Sequence, residues 1–300
     1  MAMKLAVLAD IHGNLAALRA AAAHVQGWNP DRVIVAGDVV NRGPRSPECL
    51  EFVLEMAATR GWELLRGNHE DYVIAQSKPD SPRSGPLFDV YEQSYWTYNR
   101  LGCDVSAFEG WQEMRVFPGP DARQVRVAHG SVLGNTHGVF PMFDEAELIR
   151  RVGEPLPALF CGGHTHWPFT THLEGALVVN VGAVGLPFDG DWRAGYAQLT
   201  WEEGRWQANI VRLEYDRQQM LADYQQSGFL HQAGPMAWLV LAEFLFAKSQ
   251  LYSWMRDYYE DVLAGKTTVE ATVREQLERQ GMWETVGEYV KRTQIQTGSS

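Results

Sequence analysis

Short apolar runs recur through the first 165 residues, each of strand length and each ending in polar groups: KLAVLAD (4–10), RVIVAGD (32–38), WELLRGN (62–68), VRVAHG (125–130) and ALFCGGH (158–164). Runs this continuously apolar are strands buried on both faces, as in a parallel sheet covered by helices. Between the first two, NLAALRAAAAHV (14–25) is rich in Ala and Leu. PECLEFVLEMAATR (47–60) has helical spacing with Pro47 near its start, so both segments are predicted helices. The expectation for this half is a series of βα units on one buried, largely parallel sheet.

From about residue 168 the pattern turns to alternation, in FTTHLEG and ALVVNVG and then in GYAQLTWEEGRWQANIVRLEY, which reads as a strand pair turning at Glu203 and Gly204. A second, antiparallel sheet is expected there. Residues 214–296 read as helical, through DRQQMLADYQQ, MAWLVLAEFLFA (236–247) and TVEATVREQLERQ, before a polar tail ending TGSS. This divides the chain into a domain over 1–213 and a helical extension with tail over 214–300. SKPDSPRSGP (77–86) fits neither pattern. It precedes Tyr91, Tyr95, Trp96 and Tyr98, so residues 71–115 are the candidate lid or cap insertion.

At 300 residues and 45% hydrophobic content the chain can build a substantial core. Lys plus Arg number 26 against 37 Asp plus Glu, a formal net charge of −11, which argues against general nucleic-acid binding. The three cysteines, Cys49, Cys103 and Cys161, are odd in number and far apart, as suits reduced thiols. Asp10 interrupts the first apolar run before it reaches signal-peptide length, and the 236–247 run is too short to span a bilayer and carries Glu243. A cytoplasmic protein with no membrane partner is expected.

The strand ends carry the chemistry. They supply Asp10 and His12, Asp38, Asn68 and His69, His129, and finally His164 and His166 within GGHTHWP. Ligands bind at the carboxyl ends of strands in open α/β sheets, so these separated positions are expected to converge on one edge. Small residues flank most of them, in AGD, RGN, AHG and CGGH, allowing close backbone approach. His24, His137, His172 and His231 lie outside the pattern and read as surface or core residues.

In the order Asp10-x-His12, Gly37-Asp38, Gly67-Asn68-His69-Glu70, His129-Gly130 and Gly163-His164-Thr165-His166, the motifs over about residues 4–200 resemble those of the calcineurin-like metallophosphoesterases. The resemblance implies a two-sheet α/β sandwich with the C-terminal helices appended. It also implies one metal held by Asp10, His12 and His166, a second by Asn68, His129 and His164, and Asp38 bridging them. Imidazole, carboxylate and amide ligands without thiolate suit manganese first, or iron or zinc. Two divalent ions against two carboxylates leave an excess of about two positive charges, which calls for an anionic substrate and suits a hydroxide held between the metals for in-line attack on phosphorus.

His69 is left free of ligation in that arrangement and is assigned as general acid. Arg42, in GDVVNRGPRS (37–46), is assigned to grip phosphate oxygens, and with LRGNHE it resembles the protein Ser/Thr phosphatase and dinucleotide polyphosphate hydrolase branch. Asn41 departs from that branch, which carries an acidic residue there, and Gly-His-x-His resembles instead the compact bacterial and archaeal phosphodiesterases and phosphatases. The expected activity is hydrolysis of a phosphomonoester or a nucleotide-type diester or anhydride. The alternatives are a protein phosphatase, a dinucleotide polyphosphate hydrolase, or a protein-binding scaffold on the same fold. Tyr91, Tyr95 and Trp96 either stack on a nucleobase or pack in a core. Trp238, Phe244, Trp254 and Tyr258 bury against the main domain or form a homodimer.

Overall fold

The computed structural model describes residues 3–297. The end of the polar tail, Gly298 to Ser300, lies outside the described residues.

Two five-stranded sheets pack face to face. The first contains β1 (Met3–Leu8), β2 (Arg32–Ala36), β3 (Glu63–Leu65), β9 (Ala194–Glu202) and β10 (Arg205–Leu213), in the order β10-β9-β1-β2-β3. The second contains β4 (Met114–Pro118), β5 (Gln124–Ala128), β6 (Leu159–Gly162), β7 (Phe169–Leu173) and β8 (Ala176–Asn180), in the order β4-β5-β6-β8-β7. Each has a parallel centre, β1-β2-β3 in one and β5-β6-β8 in the other, completed by antiparallel strands.

This corrects the expected partition. The five apolar runs divide between two sheets, and the strand pair turning at Glu203 and Gly204 completes the first sheet by pairing β9 with β1. The side-chain alternation explains why the runs looked alike. Leu5, Val7 and Ala9 face the second sheet, while Ala6 and Leu8 face the helices α1 (Leu15–Trp28) and α2 (Ser46–Arg60). In the second sheet Val125, Val127, Leu159 and Cys161 face inward, and Phe160 faces α5 (Glu145–Val152). β1, β2 and β6 are apolar on both faces, a pattern that does not say which sheet a strand joins.

Both predicted helices form. Asn14 caps α1 by accepting from the Ala17 N–H at 3.1 Å, and α2 ends at Gly61 in the left-handed conformation. Residues 71–115 hold most of α3 (Asn68–Ala75), all of α4 (Pro86–Arg100) and the start of β4. The C-terminal helices are α6 (Arg217–Gln226), α7 (Phe229–Gln232), α8 (Met236–Phe246), α9 (Leu251–Leu263), α10 (Val269–Arg279) and α11 (Trp283–Thr297). Their core also takes in Val90 and Trp96 of α4 and Leu186 and Phe188 of the β8–β9 loop. Trp96 packs edge-on against Phe229, and Trp254 and Phe244 are buried in the same core. The helices thus lie against the loops at the strand ends. Among the described residues no helix is long and apolar enough to cross a membrane.

Candidate metal centre

The carboxyl ends of β1, β2, β5 and β6, with the start of α3, bring Asp10, His12, Asp38, Asn68, His129, His164 and His166 together between the two sheets. Asp10, His12, Asp38 and His166 are all buried, with one ligating atom from each lying within 4.8 Å of the others. Asn68, His129 and His164 gather on the other side of Asp38. Asn68 Oδ1 lies 3.0 Å from His129 Nε2 and 2.9 Å from His164 Nδ1.

Each carboxylate is aimed by one backbone N–H. Asp38 Oδ1 accepts from the His69 N–H at 2.9 Å, which turns Oδ2 toward both groups, 3.6 Å from His12 Nε2 and 3.4 Å from His129 Nε2. Asp10 Oδ2 accepts from the His164 N–H at 2.9 Å, and Oδ1 faces His166 Nε2 at 3.2 Å. The imidazoles are oriented from behind. His129 Nδ1 donates to Ala36 O at 2.8 Å and His166 Nδ1 donates to Leu186 O, so the Nε2 lone pair of each faces the cluster.

The backbone is bent to make this convergence. Among the described residues thirteen non-glycine residues have positive φ, and seven of them are Asp10, His12, Asp38, Asn41, Arg42, His164 and His166. Such conformations cost on the order of 1–3 kcal/mol each and persist where the surroundings enforce them. Glu70 is one enforcer: its carboxylate accepts the N–H groups of Gly67, Asp38, Val39 and Val40 at 2.7–3.2 Å, tying the β2 and β3 loops together. Burial and the neighbouring Asp38 push Glu70 up to about 7, against the N–H groups of Gly67, Asp38 and Val40. Glycine supplies the clearance. A Cβ on Gly67 would stand 2.1 Å from Asp38 Oδ1, and one on Gly163 would stand 2.6 Å from Asp10 Oδ2.

The donor set fits metal ions. Asp38 Oδ2, Asn68 Oδ1 and the His129 and His164 nitrogens converge as electron-pair donors, as do Asp10 Oδ1, His12 Nε2 and His166 Nε2, the last two 3.1 Å apart. Lone pairs so placed repel unless a positive charge lies among them. Asp10 Oδ1 is buried with no hydrogen-bond donor. Burial holds His12 and His69 well below the usual histidine range and, with the nearby His129, pushes His164 down to about 3. At His129 burial also opposes the charge, yet the Asp38 carboxylate outweighs it and the pKa rises to about 10. That proton occupies the place a metal charge would take.

His69 lines the cavity above the cluster but contributes no ligand contact of this kind. Asn41 sets its form. Asn41 Oδ1 accepts from the Arg42 N–H at 3.0 Å and from Thr97 Oγ1 at 3.2 Å, which fixes the amide, so Nδ2 donates to Ser94 Oγ and to His69 Nδ1 at 3.0 Å. The His69 hydrogen therefore sits on Nε2. Arg42 lines the same cavity, 3.7 Å from Glu243 Oε2 of α8.

Glu243 and Tyr252 are two residues that sequence reasoning missed. Tyr252 Oη, from α9, lies 3.4 Å from His164 Nε2, on the far side of the ring from Asn68. The sole local signal was a single charge inside the apolar run 236–247. Asn180 was missed too; its Nδ2 donates to Gly163 O, Thr165 Oγ1 and Val139 O, holding the GGHTHWP turn. His24 bonds the Tyr196 hydroxyl at 2.8 Å, and His137, His172 and His231 also lie apart from the cluster.

Acidic and imidazole ligands gathered at the strand ends of a two-sheet α/β sandwich define a metal-dependent hydrolase of phosphate esters. The chain belongs to the calcineurin-like phosphoesterase superfamily, whose domain profile matches residues 3–204. It is similar in fold to a metallophosphoesterase from Sphaerobacter thermophilus, at TM-score 0.64 and 24% identity over 82% of this chain and 100% of that one. A hypothetical protein from Pyrococcus horikoshii OT3 gives TM-score 0.67 at 18% identity over 82% and 99%. In sequence it is 32% identical over 127 residues to the symmetrical bis(5'-nucleosyl)-tetraphosphatase of Delftia acidovorans, which is 41% of this chain and 40% of that protein.

Proposed function

We propose that the protein hydrolyses a phosphomonoester or a nucleotide-type phosphodiester at a centre of two divalent ions, manganese foremost. The observation that carries this is Asp38 Oδ2, within 3.6 Å of His12 Nε2 on one side and 3.4 Å of His129 Nε2 on the other, so that one carboxylate oxygen serves both ligand groups. Asp10, His12 and His166 would hold one ion and Asn68, His129 and His164 the other. When bound, such a pair supplies charge that activates water and neutralises phosphoryl oxygens.

The chain's own groups do the rest. Arg42 offers its guanidinium to the phosphoryl oxygens, with Nε still without a partner. The His69 ring directs its Nε2 hydrogen at the leaving oxygen and stabilises the charge that builds there. The buried walls keep bulk water from screening these contacts.

The test is hydrolysis of a chromogenic phosphodiester and the matching monoester by metal-stripped protein titrated with Mn²⁺. Turnover that rises with metal and saturates at two ions supports the reading. Absence of turnover on both esters with two ions bound would instead favour the scaffold alternative.

A further inference from the structure

Above the metal ligands lies a cavity of about 290 Å³, opening onto Arg42, Asn68, His69 and His164. Strand-end loops of the two sheets supply Arg42, Thr136 and His164 to it, and helices supply the remaining walls. These come from α3, α4, α8 and α9 and are largely apolar: Tyr72, Tyr91, Met236, Leu251 and Met255. We propose that this cavity binds the alcohol side of the substrate, and that the alcohol is uncharged and ring-bearing, of fused-ring or nucleoside size. The proposal rests on the phosphoesterase reading and names the substrate class for it.

Size, charge and wall chemistry agree. An apolar cavity of roughly 150 Å³ accommodates one benzene ring, so this space takes about two rings. Among the described lining residues Arg42 is the one Lys or Arg, and Glu243 already stands beside it. A polyphosphate lying there would bury charge without partners, a heavy penalty. The Tyr72 and Tyr91 rings, 5.5 Å apart and inclined at 59°, form an aromatic wall, and two thioethers adapt to an irregular ring outline. Gln93, 6% exposed, lines the same space, and its buried Oε1 accepts no hydrogen bond. Hydrolysis would form a phosphorus–oxygen bond from water and break the one to the alcohol, which departs protonated.

The experiment compares kcat/KM of the Mn²⁺-loaded full chain on ethyl phosphate and naphthylmethyl phosphate, whose alcohols are of similar acidity, followed by phosphate release. The aromatic ester is expected to be favoured at least about 100-fold, since each buried carbon in a fitted pocket contributes. Met255→Glu places a charge in the wall and is expected to bring the ratio toward one; Tyr91→Ala should reduce it as an independent check. A wild-type ratio near one overturns the proposal, as does a large ratio that neither substitution changes. Failure of both monoesters with two ions bound overturns the proposal, and failure of the chromogenic phosphodiester as well overturns the phosphoesterase reading itself.

Discussion

Arg42 Nη1 lies 3.7 Å from Glu243 Oε2, joining the loop after β2 to a helix far along the chain. Both side chains are sequestered, at 14% and 0% exposure. The other oxygen, Glu243 Oε1, accepts the N–H groups of Gln250 and Leu251 at 2.8 and 2.9 Å and so closes the first turn of α9. One carboxylate therefore positions Arg42, the arginine proposed to grip phosphate, and the helix that carries Tyr252.

Glu243→Ala removes both functions. Leaving Arg42 and two backbone N–H groups unpaired in a buried site is expected to cost on the order of 3 kcal/mol. Glu243→Gln keeps an oxygen for the cap and loses the charge, so it should retain most of the stability while KM rises. Thermal unfolding read beside steady-state kinetics separates the two effects; equal loss of stability in both variants would contradict the split.

His69→Ala is expected to lower kcat by about 10²–10⁴-fold with metal content kept, the usual range for losing a positioned proton donor. Its neighbour makes a finer statement. Asn41 donates to Nδ1, and burial and Arg42 hold His69 well below the usual histidine range, so the ring is neutral through the working range. Asn41→Asp replaces that donor with a carboxylate, which favours the imidazolium and raises the pKa. The wild-type pH profile of kcat should carry no His69 ionisation between about pH 6 and 8, and the variant should gain one, with activity falling as pH rises through it. Superimposable profiles would show that Asn41 does not govern the ring.

Gly163→Ala probes the close approach of β6 to β1. The new methyl would stand 2.6 Å from both Ala9 Cβ and Asp10 Oδ2, and Gly162 and Gly163 are both buried. The carboxylate has to move. A fall in metal affinity of about 10–100-fold is expected, as for other disturbances behind a ligand, and competition against a chromogenic chelator measures it. Unchanged affinity would mean that the loop shifts instead of Asp10.

The strand-end residues were legible because a strand's last residue is fixed by the chain itself: an apolar run followed by Asp, Asn or His at five places already puts ligands at sheet edges. The sheet partition was not. Val7 and Leu8 are equally apolar although one faces the second sheet and the other the helices, so nothing local distinguishes a strand of one sheet from a strand of the other. The aromatic stretch after residue 86 divided in a way no periodicity reveals. Trp96 is in the helical core, Tyr91 lines the cavity, and Tyr95 packs with Phe88 and Arg83 away from it. Glu243 and Tyr252 were beyond reach for the same reason, since their roles exist only once α8 and α9 lie over the strand ends.

Metal removal tests whether the two ligand groups are separate sites. The unfolded chain holds no such constellation, so an ion that binds the folded form stabilises it by mass action, about 2.7 kcal/mol at a hundredfold excess over Kd. For a chain of this size that is several degrees in Tm. Chelator should lower Tm and Mn²⁺ should restore it. Substituting one group then resolves the sites: Asn68→Ala with His164→Ala removes donors from the His129 side only, leaving Asp10, His12, Asp38 and His166 within 4.8 Å of one another. The double variant is expected to bind one ion where the wild type binds two, and to keep part of the metal-dependent gain in Tm. Asp38→Asn, which weakens the oxygen facing both groups, should depress both sites together. A wild type that saturates with a single ion, or a double variant that still takes up two, would show that Asp38 does not bridge.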